Sequence, residues 1–448
     1  MAIASFTAGT IVASRAMSGT TLLVGRSIQG LGAGGITNLS EVILTDLVPL
    51  RLRGRYLAYL NSVWALGSTT GPVIGAAFAQ KVTWRWIFYI NLPLIAAGCA
   101  LLAMATPFKS PPAAVGRKIE NIDLAGILLF TAGIISVLIP ITWGGTMYPW
   151  SSWHTVVPLV VGCVVLLSFV VYESYVAAEP VIQMALFRTR SLVVSYISTV
   201  THGLILSCGL YYLPFYFQAV QGYSPVISGV ALFPVTFTVV PGAMATGVFI
   251  SRTGHYRGII WAGWLVTMVG LGLTCLVRVN TPNVLWIVCL VVIGLGIGIL
   301  FSSLNIAVLA AAKQQHQQAA AATMFTFFRA LGQTLGVAIG GTIFSNRVRA
   351  SLLAQPAVLA MSRTASGGHH LDVVALVQLT DQTSDPTSRD QLRKVYVDSL
   401  RVVWAVCCAM SGVTALVSLG LRRYNLSRTT TREAPQDITI TSVETRGK

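Results

Sequence analysis

Apolar positions along the chain fall into long, nearly unbroken runs rather than into the two-residue alternation of a half-buried strand. Eleven runs reach the roughly 20 residues that a helix needs to cross a bilayer. They cover 20–44, 56–80, 86–106, 123–143, 155–173, 191–218, 225–250, 258–278, 283–311, 318–345 and 401–421. No ten-residue segments of alternating polarity occur, which excludes a membrane β-barrel. The pattern predicts an all-α integral membrane protein with 11 full transmembrane helices. A further apolar run, MAIASFTAGTIVAS (1–14), stops at Arg15. As a helix it would be about 21 Å long, short of the roughly 30 Å hydrocarbon core. It has no basic n-region or cleavage motif, so it is not read as a signal peptide. It is read as one partial N-terminal helix, the second half of a span whose beginning is missing.

Composition agrees with this reading. Of 448 residues, 54% are hydrophobic and 10% charged, against roughly a quarter charged in soluble domains. The mean hydropathy is +0.72. The net charge of +16 suggests nucleic-acid binding only until its placement is seen, because Lys and Arg cluster in short loops between spans. One set of alternate loops holds Arg51, Arg53 and Arg55, then Lys109, Arg117 and Lys118, then Arg188 and Arg190, Arg252 and Arg257, and Lys313, with Arg422, Arg423, Arg428 and Arg432 in the tail. The opposite short loops hold Arg15, Lys81, Arg85 and Arg278. The positive-inside rule therefore puts both termini in the cytosol, with a long external loop at 346–400. Two sequons, Asn38-Leu39-Ser40 in a helix and Asn425-Leu426-Ser427 in the cytosolic tail, are then not glycosylated. The seven cysteines all lie in apolar runs, which argues against a disulfide framework or a zinc site.

Polar groups inside spans are costly and mark candidate function. LLVGRSIQGLGAGGITNLS (22–40) contains the spacing G-x-G-x-x-G at Gly30, Gly32 and Gly35. A dinucleotide site would need a preceding strand and an acidic residue about 20 positions on, whereas the run is continuous and position 55 is Arg. Helical spacing instead places Arg26, Gln29, Gly30, Ala33, Thr37 and Glu41 on one face, with Arg26 expected to point inward, snorkelling to the outer surface being the alternative. Gly32 adds to its small-residue surface, and Asp46 lies at the cytosolic end, where Arg51 or Arg53 could pair with it. GSTTGPVIGAAF (67–78) puts Pro72 directly after Gly71, between Gly67 and Gly75, as a bent, glycine-faced helix suited to a gate. Gly332, Gly336, Gly340 and Gly341 form small-xxx-small patterns for close helix packing. Arg329 lies mid-span with Gln333 one turn on. His202 and Gln218 flank an aromatic-rich helix with Tyr211, Tyr212, Phe215, Tyr216 and Phe217. Together with Asn305 these residues are candidates for lining a substrate cavity, packing against lipid and core being the alternative.

Catalytic signatures are lacking: there is no H-E-x-x-H, P-loop or G-x-S-x-G. His369, His370 and Asp372 read as a chance loop cluster. No enzyme activity, metal or cofactor is therefore expected, and without an ATP motif any pumping would draw on an ion gradient.

LLVGRSIQGLGAGG, GSTTGPVIGA, DLVPLRLRGRY, WRWIFYINLP and FFRALGQTLGVAIGGTIF together resemble the major facilitator superfamily, in particular its fungal 14-helix drug:proton antiporter branch. The first resembles the fourth-helix motif, whose Arg, here Arg26, is implicated in proton coupling. The second resembles the fifth-helix antiporter motif, with Ala76 where Gly is usual. GVFISRTGHYR (247–257) resembles a decayed copy of the loop motif G-x-x-x-D-R-x-G-R-R, with Ser251 in the place of Asp. The resemblance implies that the first two helices and half of the third have no counterpart. It makes 1–106 the remnant of an N-terminal bundle, 107–190 cytosolic loops and two extra central helices, 191–421 a C-terminal six-helix bundle, and 422–448 a cytosolic tail. It implies proton-coupled efflux of small organic compounds such as drugs, toxins or secondary metabolites, by a monomer in the plasma membrane, or a vacuolar one, with the lipid bilayer, the substrate and protons as partners. Import through the same fold, for instance of a siderophore, and a truncated, non-transporting protein are the alternatives.

Overall fold

The computed structural model describes residues 1–48, 50–105, 123–177, 180–312, 315–353 and 386–424, apart from the side chains of a few positions inside helices. Among these residues the architecture is helical, and no strand is formed beyond an isolated bridge between Gly144 and Tyr148. In chain order the helices are α1 (Ala2–Ser14), α2 (Gly19–Leu47), α3 (Leu50–Lys81), α4 (Trp86–Tyr89), α5 (Asn91–Ala105), α6 (Leu124–Trp143), α7 (Trp153–Tyr175), α8 (Arg190–Ala219), α9 (Pro225–Val230), α10 (Phe233–Thr253), α11 (Arg257–Thr274), α12 (Asn283–Ala311), α13 (Gln315–Leu353) and α14 (Pro386–Ser418). Nine spans among the described residues are long and apolar enough to cross a membrane. α2 and α3, at 29 and 32 residues, are long enough but less apolar, because they carry the polar positions read from the sequence as functional.

Each of the eleven expected runs is helical, with some shifts of boundary. The seventh run divides into α9 and α10, the eighth runs a few residues past the end of α11, and the largest difference is at the last. α13 continues to Leu353 and α14 begins at Pro386, so both enter the expected external loop 346–400. The segment 386–400 is amphipathic rather than apolar, which hides it from hydropathy. Leu392, Val395, Tyr396, Val397 and Leu400 are buried, while Asp390–Arg393 and Asp398–Arg401 pair on the outside. The rest of the loop, with His369, His370 and Asp372, lies outside the described residues, as do Lys109, Arg117, Lys118, Lys313 and the tail beyond Tyr424.

Close packing falls where small residues permit it. α1 seats on α2 through Gly9, Gly25 and Gly32: a Cβ on Gly25 would lie 2.6 Å from Ala13 N, and one on Gly32 would overlap the Phe6 backbone. α8 and α13 meet through Gly203, Gly332 and Gly336, whose added Cβ atoms would collide with backbone of the facing helix. The glycine pattern expected in this tenth span is thus a packing seam. Gly67 and Gly71 of α3 meet nothing within 4 Å, so that half of the glycine face is open among the described residues. Further along α3, Pro72 and Val73 lie against Gly229 of α9.

The α6–α7 hairpin is tied to α13. Thr342 Oγ1 donates to Ile141 O (2.7 Å), Asn346 Nδ2 to Gly144 O (3.0 Å), and Arg349 Nη1 to Gly145 O and Thr146 O (2.8 and 2.9 Å). These three side chains recur at helical spacing along one face of α13. Gly145 has φ of +75°, a conformation that glycine adopts without the penalty of a Cβ.

Candidate functional site

The most polar buried region lies where α2 and α3 meet α8, α12 and α13. Glu41, on α2, is 8% exposed, and its Oε2 accepts a hydrogen bond from Thr326 Oγ1 of α13 at 2.5 Å. Arg329 follows Thr326 by nearly one turn and is 7% exposed. Its guanidinium carbon lies 4.6 Å from the Phe301 ring centroid and 5.4 Å from that of Phe325. Its Nη1 is buried without a hydrogen-bond partner, and among the described residues no carboxylate stands within ion-pair distance of it. Glu41 and Arg329 are still near enough to feel each other electrostatically.

His202 of α8 completes the group. Its Nε2 lies 3.1 Å from Ile297 O, and its ring stands edge-on to Phe301 at 5.8 Å. A carbonyl only accepts, so Nε2 carries the proton. Trp64, on α3, packs against the other side of this cluster, 5.7 Å from Phe301. Trp64, His202, Phe301 and Arg329 lie ten to fourteen residues from the ends of their helices that bear the basic loops, about 15–21 Å by helix rise. They therefore share one level near the middle of the bundle. Toward those basic ends the contact is closed by Leu44, Leu309 and Ala322, with Val48 and Leu60 packed around them.

Several expected site residues lie elsewhere. The predicted stripe on α2 divides. Gln29 and Glu41 are buried and Ala33 is half-buried, whereas Arg26, Gly30 and Thr37 are exposed. Arg26 therefore does not point into the bundle formed by the described residues. The reason is α1, which covers the Gly25–Gln29–Gly32 face and leaves the neighbouring face open. Arg26 is tethered sideways: its Nη1 donates to Gln29 Oε1 (2.8 Å), and Gln29 Nε2 donates to Thr10 Oγ1 of α1 (3.0 Å). The Arg26 guanidinium lies 6.0 Å from the Phe88 ring. Among the described residues, an added Cβ on Gly75 meets only Ile87, at 3.9 Å. The side chain of Asp46 lies outside the described residues.

The aromatic positions of α8 do not converge on one cavity. Tyr211 is 56% exposed. Tyr212 is buried against α13, its hydroxyl donating to Val337 O, and the Tyr216 hydroxyl donates to Arg278 O. Phe215 packs edge-on to Phe344 and Tyr396, and Gln218 is half-buried. A cavity between Tyr216, Phe217, Trp286 and Trp404 measures about 20 Å³, room for little more than a water molecule. Apart from Tyr211, these rings are core of the C-terminal helices. Asn305 is buried one turn beyond Phe301 on α12, and Gln333 is half-buried one turn beyond Arg329. Trp64, Phe301, Phe325 and Thr326 were not singled out from sequence. Only the pairing of α3 with α12 and of α2 with α13 reveals them, since aromatic and Thr residues in apolar runs carry no signal of their own.

Comparison with known proteins bears on what this arrangement serves. The chain is 43% identical over 421 residues to "MFS transporter L2" of Phoma sp., covering 94% of this chain and 70% of that protein. It is 35% identical to the "Acurin A biosynthesis cluster MFS-type transporter" of Aspergillus aculeatus, over 95% of this chain and 77% of the relative. It is 34% identical to "Efflux pump FUS6" of Gibberella moniliformis, over 91% and 73% respectively. In fold it is similar to a bacterial homolog of the human lysosomal transporter Spinster, solved in an inward-facing and occupied conformation, with a TM-score of 0.56 and 14% identity over 94% of this chain and 82% of that one. The family model described as Major Facilitator Superfamily matches residues 1–337. With a helical bundle, apolar spans and a polar cluster where α2 and α3 meet α8, α12 and α13, the chain belongs to the Major Facilitator Superfamily, a family of membrane transporters rather than enzymes.

Proposed function

We propose that this protein exports small, largely apolar organic compounds in exchange for protons. The observation that carries the reading is the buried Glu41–Thr326 hydrogen bond beside Arg329. It joins a carboxylate on α2 to a hydroxyl on α13, with the Arg329 guanidinium nearby, so the protonation of Glu41 bears on the contact between the two helices. In folds of this kind substrate sites lie near the bilayer midplane, and alternating access rocks one half against the other. The ionised Glu41 accepts from Thr326 and is attracted by Arg329. Once protonated, it loses that attraction and the halves part more readily. Glu41 is the proton carrier in this scheme, and Arg26, tied through Gln29 to Thr10, sets the position of α2 against α1. The names of the relatives, efflux pumps among them, support export over import. The protein works as a monomer in the plasma membrane, with both termini in the cytosol, as the basic loops suggest.

The test is uptake of a fluorescent organic substrate into inverted membrane vesicles, with and without an imposed proton gradient. Uptake should follow the gradient in the native protein and lose that dependence in Glu41→Gln. Gradient-independent uptake by the native protein overturns the coupling.

A further inference from the structure

The cluster at the α2–α13 contact also restricts what can bind there, and the restriction follows from counting its charges. Arg329 contributes one positive charge. His202 has Nε2–H committed to Ile297 O at 3.1 Å and is enclosed, 2% exposed, where an imidazolium would add a second unpaired cation next to Arg329. Burying such a charge is costly, so His202 stays neutral. Glu41 contributes one negative charge or none. The site is therefore neutral with Glu41 ionised and positive with Glu41 protonated, and in neither state is it negative. An organic cation meets no net negative charge in it.

The hydrogen-bonding groups left over specify a complement. Arg329 Nη1 is buried and unpartnered, and a buried donor without a partner costs about 1–3 kcal/mol. It calls for an acceptor oxygen. Glu41 uses Oε2 for Thr326 and retains acceptor capacity, which calls for a hydroxyl donor. Trp64 and Phe301, at 5.7 Å and 32°, supply flat aromatic surface from the two halves. Resting on the proposal that this is the transport site, we infer that the substrate is a neutral, planar compound with a hydroxyl close to a carbonyl, and that organic cations are excluded. The carbonyl accepts from Arg329 Nη1, the hydroxyl donates to the Glu41 carboxylate, and the ring system lies against the aromatic surface that Trp64 and Phe301 present together. Antiport follows from the same contacts. With Oε2 held by Thr326, a proton on Glu41 sits on Oε1 and turns the atom that would accept from the hydroxyl into a donor, so proton and substrate compete for one oxygen.

The probes are 1,8-dihydroxyanthraquinone, a planar hydroxy-carbonyl compound, and ethidium, a planar cation of comparable size. Binding to the full chain in detergent is read by fluorescence, and flux in proteoliposomes with and without a proton gradient. The native protein should bind the quinone and should bind ethidium at least tenfold more weakly. Arg329→Met should weaken quinone binding at least tenfold and strengthen ethidium binding, since Glu41 is then the only charge. Arg329→Lys keeps the charge and the discrimination against ethidium if the methionine variant does not fold. Ethidium binding by the native protein as tight as quinone binding overturns the inference, and so does quinone affinity that is unchanged in Arg329→Met. Quinone binding that depends on Arg329 without gradient-driven flux leaves the substrate class standing and removes the proton coupling instead.

Discussion

Gly203 is the sharpest point at which packing controls the site. It follows His202 on α8 and faces the backbone of α13 at Arg329. A Cβ on Gly203 would overlap the Arg329 carbonyl oxygen and lie 3.1 Å from Gln333 N. Backbone cannot rotate away as a side chain can, so Gly203→Ala must push the helices apart by about 1 Å, an overpacking cost of about 1–3 kcal/mol. The displacement moves Arg329 away from Phe301, now 4.6 Å from its guanidinium. Gly209, on the same helix, is the matched control: an added Cβ there finds only Leu213 Cδ1, at 3.9 Å. Gly209→Ala should be neutral or stabilising, because alanine is favoured over glycine by about 0.5–1 kcal/mol in a helix interior. Thermal unfolding in detergent, followed by tryptophan fluorescence, should give a lower midpoint for Gly203→Ala and an unchanged or higher one for Gly209→Ala. Gradient-driven flux should fall only in the first. Equal stability and flux for both variants would refute the claim that the α8–α13 seam sets the position of Arg329.

Three more variants test separate contacts. Gly32→Leu places a large side chain where the Phe6 backbone lies and should release α1 from α2, seen as faster hydrogen exchange over residues 2–14. Arg349→Ala removes the two hydrogen bonds to Gly145 and Thr146 and should speed proteolysis of the 144–152 turn without changing the secondary structure measured by circular dichroism. Trp64→Ala deletes the ring contact with Phe301 between α3 and α12, worth about 0.5–1.5 kcal/mol beyond area burial. It should lower the unfolding midpoint more than Trp64→Phe does.

Hydropathy located the long apolar helices among the described residues because lipid leaves the backbone few other solutions than the helix. Glu41, His202 and Arg329 were visible for the same reason, since a charge or imidazole in an apolar run stands out. What the sequence could not show was which helix faces which. The reading of Arg26 followed helical periodicity on α2 alone, and periodicity does not reveal that α1 takes the Gly25–Gly32 face. Tyr212 and Tyr216 failed as cavity residues for a related reason. A hydroxyl that finds a backbone carbonyl, as both do, belongs as well in a core as in a binding site. Thr326 shows the converse: it is one unremarkable residue in TMFTFFRAL until α2 brings Glu41 within 2.5 Å. The start of α14 was missed because its buried face alternates with paired charges, and the mean over such a segment is polar.

Whether Glu41 and Arg329 act as partners can be decided without a substrate. Each is more than nine-tenths buried, and if they compensate each other across the α2–α13 contact, removing one leaves the other uncompensated, as in a buried pair, where the loss is about 3–5 kcal/mol. Removing both with residues of similar shape is often neutral or better. Glu41→Gln and Arg329→Met should therefore each lower the unfolding midpoint, and the double variant should recover most of the loss. Two groups that merely lie in the same region would instead give additive losses, as distant sites do. The hydrogen bond from Thr326 sharpens the comparison, since Thr326→Val should be costly when Glu41 is present and nearly silent beside Glu41→Ala. A double variant as unstable as the sum of its parents would refute the pairing, and with it the idea that the proton on Glu41 is read by α13.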